Sequence, residues 1–265
     1  MLDLAIQIVN FRTRRYLPAC LDSVITDLSD SGLRSGISVL DNASGDDLGD
    51  LQARYADVAF KRSDTNRGFG AGHNLLARGV QAKYLLILNP DIAFRESRTI
   101  GRLLETLQRE PGAKVAGPKL YDPRGNPQRW DHARLRPSFR SPPEAVGDRV
   151  EAAWVSGAVF LIDKGLFDEL QGFDENIFLY AEELELCLRI RKQGHRVVYD
   201  PTIGVMHVGQ VSGRRKDYIY TSYDYILDKH YRHTLLYYPL KALNALLRRT
   251  VKPADSGIAT GPPAA

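Results

Sequence analysis

The sequence predicts an α/β protein built on a mixed, mainly parallel sheet flanked by helices. Three observations carry the prediction. Short apolar runs and helical apolar patterns alternate four times in the first 110 residues, the rhythm of βαβ units with right-handed crossovers. Polar clusters at 41–46, 66–74 and 89–91 follow directly after these runs, where ligands gather in such sheets. A chain of 265 residues, 43% hydrophobic and 26% charged, has material for a sizeable core and an ordinary soluble surface.

The elements follow in order. Leu4–Val9 reads as a buried strand. Leu17, Leu21, Val24 and Leu28 recur at helical spacing. Ile37–Leu40 is a second strand, and Asp41-Asn42-Ala43-Ser44-Gly45-Asp46 after it is turn chemistry. A short polar helix and a third strand, Val58–Lys61, come next. Asn66–Gly72 is a glycine loop opening a helix with Leu75, Leu76 and Val80, and Tyr84–Leu88 is the most apolar strand. A helix over about Ile100–Gln108 closes this half. Pro123 to Pro143 lacks periodicity and reads as a long surface excursion; the loop at 123–150 carries Trp130, His132 and several arginines. Trp154–Ile162 is expected as a strand, Lys164–Leu170 as a short helix and Gly172–Glu175 as a turn. Ala181–Gln193 is a helix stopped by Gly194, followed by strands at Arg196–Tyr199 and Ile203–Val208. Helices over about Asp217–Tyr231 and along Leu235–Arg249 precede a small, Pro/Gly-rich tail expected to be disordered.

Composition narrows the function classes. Two cysteines, Cys20 and Cys187, exclude a disulfide scaffold and a cysteine-rich zinc site. Asp3 and Gln7 interrupt the first apolar run, unlike a signal peptide. No apolar run approaches the roughly 20 residues that span a bilayer. The net charge of +4 suits phosphate ligands or an anionic membrane surface and does not call for nucleic acid.

Five clusters can carry chemistry. Asp41, at a strand end, can accept hydrogen bonds from a ribose or a base, or simply close an Asx turn with Asn42 and Ser44. Gly68-Phe69-Gly70-Ala71-Gly72 lets backbone amides approach a phosphate, or forms a plain tight turn. Asp91 in Asn89-Pro90-Asp91 can hold a divalent cation, or the tripeptide merely ends the strand. Glu182, Glu183 and Glu185 suit a helix start electrostatically, and one of them turned into a cleft would serve as a general base. His207 is a structural histidine unless it converges with Asp91, where imidazole plus carboxylate suits an ion such as manganese.

In order, these clusters resemble the family-2 glycosyltransferases with the GT-A fold, and within them the rhamnosyltransferase-like branch. The resemblance rests on residues 6–11, 41–46, 66–74 and 88–91, then Trp154–Ala158, Gly172–Glu175, Phe178–Cys187 and His207–Ser212. It implies a GT-A domain over 1–215, with a nucleotide-sugar half to about 110 and an acceptor half beyond. A helical extension over 216–250 and a tail over 251–265 would follow. It places Asn10, Asp41, Asn66, Gly68, Gly70, Asn74, Asn89, Trp154 and Gly157 around the nucleotide sugar. Asp91 and His207 would hold Mn²⁺ or Mg²⁺, and Glu183, with Glu182 as second candidate, would be the catalytic base. Asn89 stands where the family's metal motif has Asp, Glu183 where its base is the shorter acid, and His73 where many members have Asn.

The implied enzyme is an inverting, metal-dependent hexosyltransferase of cell-surface polysaccharide synthesis. It would move rhamnose from dTDP-rhamnose, or a UDP-linked sugar, to a hydroxyl of a glycan or lipid-linked glycan. It is expected in the cytoplasm. The basic, amphipathic C-terminal segment would either dock on the inner membrane face or pack on the domain with its charges in water. Two other readings compete. A nucleotidyltransferase would need glycines after the first strand, and Asn10–Arg15 has none. A non-catalytic nucleotide-sugar-binding domain is the other alternative.

Overall fold

Residues 4–10 are buried without interruption, the mark of a strand covered on both faces of a parallel sheet. They belong to β1 (Leu2–Asn10). The computed structural model describes residues 1–129, 149–209 and 216–249. From β1 the chain runs through α1 (Leu17–Leu28), β2 (Ser35–Asp41), α2 (Gly49–Arg54), β3 (Val58–Arg62), α3 (Phe69–Ala77) and β4 (Ala82–Leu88). In this half β1 pairs in parallel with both β2 and β4, with Ile6 opposite Ile37 and Leu86, and β3 extends β2. The carboxyl ends of β1, β2 and β4 therefore lie side by side. Proline in the first turn of α1 and a buried stripe of Leu17, Cys20, Leu21 and Val24 fix that helix on the sheet.

The second half adds β5 (Ile92–Phe94), α4 (Thr99–Arg109), β6 (Ala113–Tyr121), β7 (Val150–Glu151), β8 (Val159–Asp163), α5 (Lys164–Glu169), α6 (Glu182–Lys192) and β9 (Arg196–His207). The described strands form one mixed sheet in the order β3-β2-β1-β4-β8-β6-β9-β5, with β7 on β9. Here β8 runs antiparallel to β4 and β6, and β5 antiparallel to β9. Helices α7 (Lys216–Tyr231) and α8 (Tyr237–Arg249) follow. A distant carboxylate caps α4: Asp27 accepts from the amides of Thr99 and Ile100, each at 2.8 Å.

Several boundaries differ from expectation. Helix α3 starts inside the glycine loop and ends at Ala77, so Val80 lies beyond it. The strand expected over Trp154–Ile162 is only β8, because residues 154–158 form an irregular turn. The two strands expected over Arg196–Val208 are one, β9, with a register irregularity where Asp200 accepts from the Thr202 amide at 3.0 Å. Strands β5, β6 and β7 were not expected. Gly117 and Pro118 disguise β6, and Gly117 is needed there because a side chain would come within 2.6 Å of Val155. Most of the 123–150 excursion, Trp130 and His132 included, lies outside the described residues, as do the boundary at 215 and the tail at 251–265.

Candidate active site

The ends of β1 and β2 are tied by Asn10. Its amide donates to Ser44 Oγ at 3.2 Å and Asp46 Oδ2 at 3.0 Å, and its oxygen accepts from Thr13. Asp41 Oδ1 accepts from the Ser44 amide at 3.0 Å, the Asx turn the sequence suggests. Its Oδ2 lies 3.6 Å from Arg62, and Asp41 also lines an open cleft of about 400 Å³ with Asp46, Asp47, Gln52 and Lys61. Turn closure and exposure to the cleft therefore coexist in one side chain.

Asn42, which sequence reasoning left as a turn residue, organises the glycine loop. Its amide donates to Asn66 Oδ1 and to Gly68 O, both at 3.0 Å, and its oxygen accepts from the Arg67 amide at 3.0 Å. Asn66 in turn accepts from the Gly68 amide. Gly68 sits at φ +84° against the carbonyl of Phe178, where no side chain fits. Asn74 holds the 172–175 turn, donating to Phe173 O and Glu175 and accepting from the Phe173 amide. His73 is fully buried against Phe69, ring centroids 4.5 Å apart, and burial lowers its pKa to about 3, so it is a neutral core residue.

A second group forms where β4 and β9 end and β5 begins. Asp91, only 3% exposed, accepts from the Gly209 amide at 2.8 Å. His207 Nε2 lies 3.5 Å from Asp91 Oδ1 and 3.3 Å from Asn89 Nδ2. Antiparallel pairing of Ile92 with His207 brings them together across 116 residues of chain. Gln128, in an unremarkable loop with no sequence signal, bonds the far side of the ring: Oε1 is 2.8 Å from Nδ1, and Nε2 donates to His207 O at 2.7 Å. Among the described residues no three His, Cys, Asp or Glu side chains gather around one point. The donor set nonetheless fits a divalent ion that completes its shell from a ligand. A carboxylate oxygen and an imidazole nitrogen face each other, which suits manganese.

The third group stands at the start of α6. Tyr180 and Ala181 both have positive φ, +67° and +69°, a local strain of about 1–3 kcal/mol each that the surrounding packing sustains. This double left-handed step turns Glu182 and Glu183 inward, 4% and 7% exposed. Burial raises Glu183 to about 7 despite the Gly157 amide, which donates to its Oε1 at 3.5 Å. Burial and the adjacent Glu183 charge push Glu182 well above the ordinary range, and its Oε2 has no partner among the described residues. Trp154, one of the largest fully buried side chains, supports the turn from the core. Glu185 turns the other way, to Arg189, Lys229 and His230.

One turn connects the second and third groups. The Asn89 amide donates to Ala158 O at 2.9 Å, and the neighbouring Gly157 amide reaches Glu183. A buried carboxylate facing a partly buried imidazole, and a carboxyl poised near neutrality, thus flank a single turn, beside the ends of β1 and β2.

The chain is 30% identical over 206 residues to an N-acetylglucosaminyl-diphospho-decaprenol L-rhamnosyltransferase of Mycobacterium tuberculosis, covering 64% of this chain and 66% of that protein. It is 25% identical over 170 residues to rhamnosyltransferase WbbL of Escherichia coli, covering 56% of this chain and 63% of WbbL. The chain thus spans just under two thirds of these curated relatives. The fold is similar to that of the mannosyltransferase PcManGT from Pyrobaculum calidifontis, solved in complex with GDP-Man and Mn²⁺. The TM-score is 0.66 at 14% identity, covering 93% of this chain and 69% of that one. Residues 6–170 match the model of glycosyl transferase family 2, and the chain belongs to that family.

Proposed function

We propose that the chain is an inverting glycosyltransferase taking rhamnose from dTDP-rhamnose to a hydroxyl of a glycan or lipid-linked glycan. The observation that carries the reading is the 157–158 turn, which bonds Asn89 beside Asp91 and His207 on one side and Glu183 on the other. A displacement needs this pairing: a place for a departing diphosphate and a base apart from it. The rhamnosyl donor rests on the names of the relatives, and the lipid-linked acceptor on that of the Mycobacterium tuberculosis protein.

In this reading the ends of β1 and β2, with Asp41, receive the nucleoside. The amides at the start of α3 face the diphosphate. Asp91 and His207, with Asn89 beside them, would hold Mn²⁺ or Mg²⁺; bound there, the ion supplies Lewis-acid neutralisation of the leaving diphosphate. Glu183 accepts the proton of the acceptor hydroxyl as that oxygen bonds to the anomeric carbon. The bond from that carbon to the diphosphate breaks, and its electron pair leaves with the diphosphate. A single displacement inverts the centre. Glu183, raised to about 7 by burial, suits a base, while Glu182 is pushed higher still by burial and by the neighbouring Glu183 charge.

The C-terminal helices suit a lipid-linked acceptor. Helix α8 buries Leu240 and Asn244 against the preceding helix. Its other side leaves Leu235 and Leu236, just before it, and Tyr238 and Leu246 exposed near Arg248 and Arg249. Apolar anchors beside cations suit an anionic inner-membrane surface, with the enzyme in the cytoplasm. Among the described residues no helix is long and apolar enough to cross a membrane.

The test is a sugar-transfer assay on Glu183→Gln and Asp91→Ala. Each is expected to lose activity by at least about 10²-fold, the usual worth of an effective base. If neither loses as much as about tenfold, both role assignments fail.

A further inference from the structure

We infer that Gln128 is a positioning residue: it fixes which nitrogen of His207 carries the proton and so turns a bare nitrogen toward Asp91. The inference rests on the metal reading above. Gln128 Nε2 lies 2.7 Å from His207 O, and a carbonyl oxygen only accepts. That contact identifies the donor end of the amide. Gln128 Oε1, an acceptor only, is then the atom 2.8 Å from His207 Nδ1, so Nδ1 bears the hydrogen.

In the neutral ring Nε2 is then a lone pair. Asn89 Nδ2 donates toward it from 3.3 Å, and Asp91 Oδ1 faces it at 3.5 Å. Two acceptors opposed at this distance repel unless a cation lies between them. A histidine ligand needs this tautomer, and an outer hydrogen bond to its other nitrogen is the usual means of securing it.

The amide is itself held firmly. The Gln128 backbone amide donates to Leu120 O at 2.8 Å, anchoring it to the end of β6. Between them a tight turn is closed by Asp122, which accepts from the amides of Arg124 and Asn126 at 2.9 and 2.8 Å. A residue that only tied the end of β9 to this turn would need the carbonyl bond alone; the second bond, to the ring, serves His207.

The experiment uses the full chain with Gln128→Leu and Gln128→Glu. Nitrogen-15 NMR of metal-free protein reads the His207 tautomer, and electron paramagnetic resonance reads Mn²⁺ binding, alone and with dTDP. In the wild type His207 is expected with hydrogen on Nδ1. Gln128→Leu is expected to mix the tautomers and weaken Mn²⁺ binding by about 10–100-fold, while Gln128→Glu, which keeps an acceptor at Nδ1 but loses the donor to His207 O, is expected to keep the hydrogen on Nδ1. A wild-type His207 protonated on Nε2 overturns the inference whether or not the leucine variant folds. So does a folded leucine variant that binds Mn²⁺ as the wild type does, which leaves the metal reading standing. A wild type that binds no Mn²⁺ overturns the metal reading and the inference together.

Discussion

Glu182 and Glu183 are adjacent, both buried, and differ in what they face. Glu183 has the Gly157 amide, while Glu182 has an oxygen without a partner among the described residues and a like charge beside it. Two consequences follow for Glu183, whose carboxyl titrates near 7 because of burial. As a base it works ionised, so kcat/KM is expected to rise with pH and level off above about pH 7, as a pH–rate profile would show. Its effect on stability has the opposite sign. A folded-state pKa above the ordinary 4.5 favours the fold below that value, and this advantage is lost as pH rises through about 7. Glu183→Gln is therefore expected to melt above the wild type at about pH 8 and level with it at about pH 4, read by calorimetry.

Helix α7 holds the approach to this carboxyl pair. Lys229 bonds Asp174 at 2.6 Å and Glu185 at 2.7 Å, and Tyr225 donates to Asp174 at 2.8 Å. Burial raises both carboxyls, but Lys229, Asn176 and Tyr225 bring Asp174 down to about 2, and His230, Arg189 and Lys229 do the same for Glu185. Stability from both is present above the ordinary carboxylate range and is lost as pH falls through about 2. Lys229→Met is expected to cost about 1–3 kcal/mol in urea unfolding, because Glu185 keeps Arg189 and His230. The sequence showed Glu182, Glu183 and Glu185 as one acidic helix start, and only the fold separates them: the left-handed step at Tyr180 and Ala181 aims two inward, and α7 claims the third. The parallel half was legible because its strands are apolar runs ended by turn residues. The antiparallel half was not: Gly117 and Pro118 mask β6, and three-residue β5 is too short to show a period. Asp91 and His207 were legible as a pair through the resemblance. Gln128 and Asn42 were not, since a hydrogen bond to a ring or a loop leaves no periodicity.

At the scale of the molecule, the sheet brings the strand ends and the 157–158 turn together, while the C-terminal helices stand behind α6. The exposed Leu235 and Tyr238, 98% and 78% accessible, give that region an apolar outer face. Replacing Leu235, Leu236, Tyr238 and Leu246 with serine removes no residue of the site. It is expected to abolish co-sedimentation with anionic vesicles while leaving the melting temperature within a few degrees. Retained sedimentation would mean that the helix simply packs on the domain.

The central claim is that the ends of β1, β2 and β4 form a donor site in which Asp91 and His207 act with a divalent ion. It is tested most directly by calorimetric titration of the full chain with dTDP, UDP and GDP, each with and without Mn²⁺. The account predicts binding of dTDP ahead of the others, strengthened by Mn²⁺, with the Mn²⁺ effect lost in Asp91→Ala. No binding of any nucleoside diphosphate, with or without Mn²⁺, would contradict it.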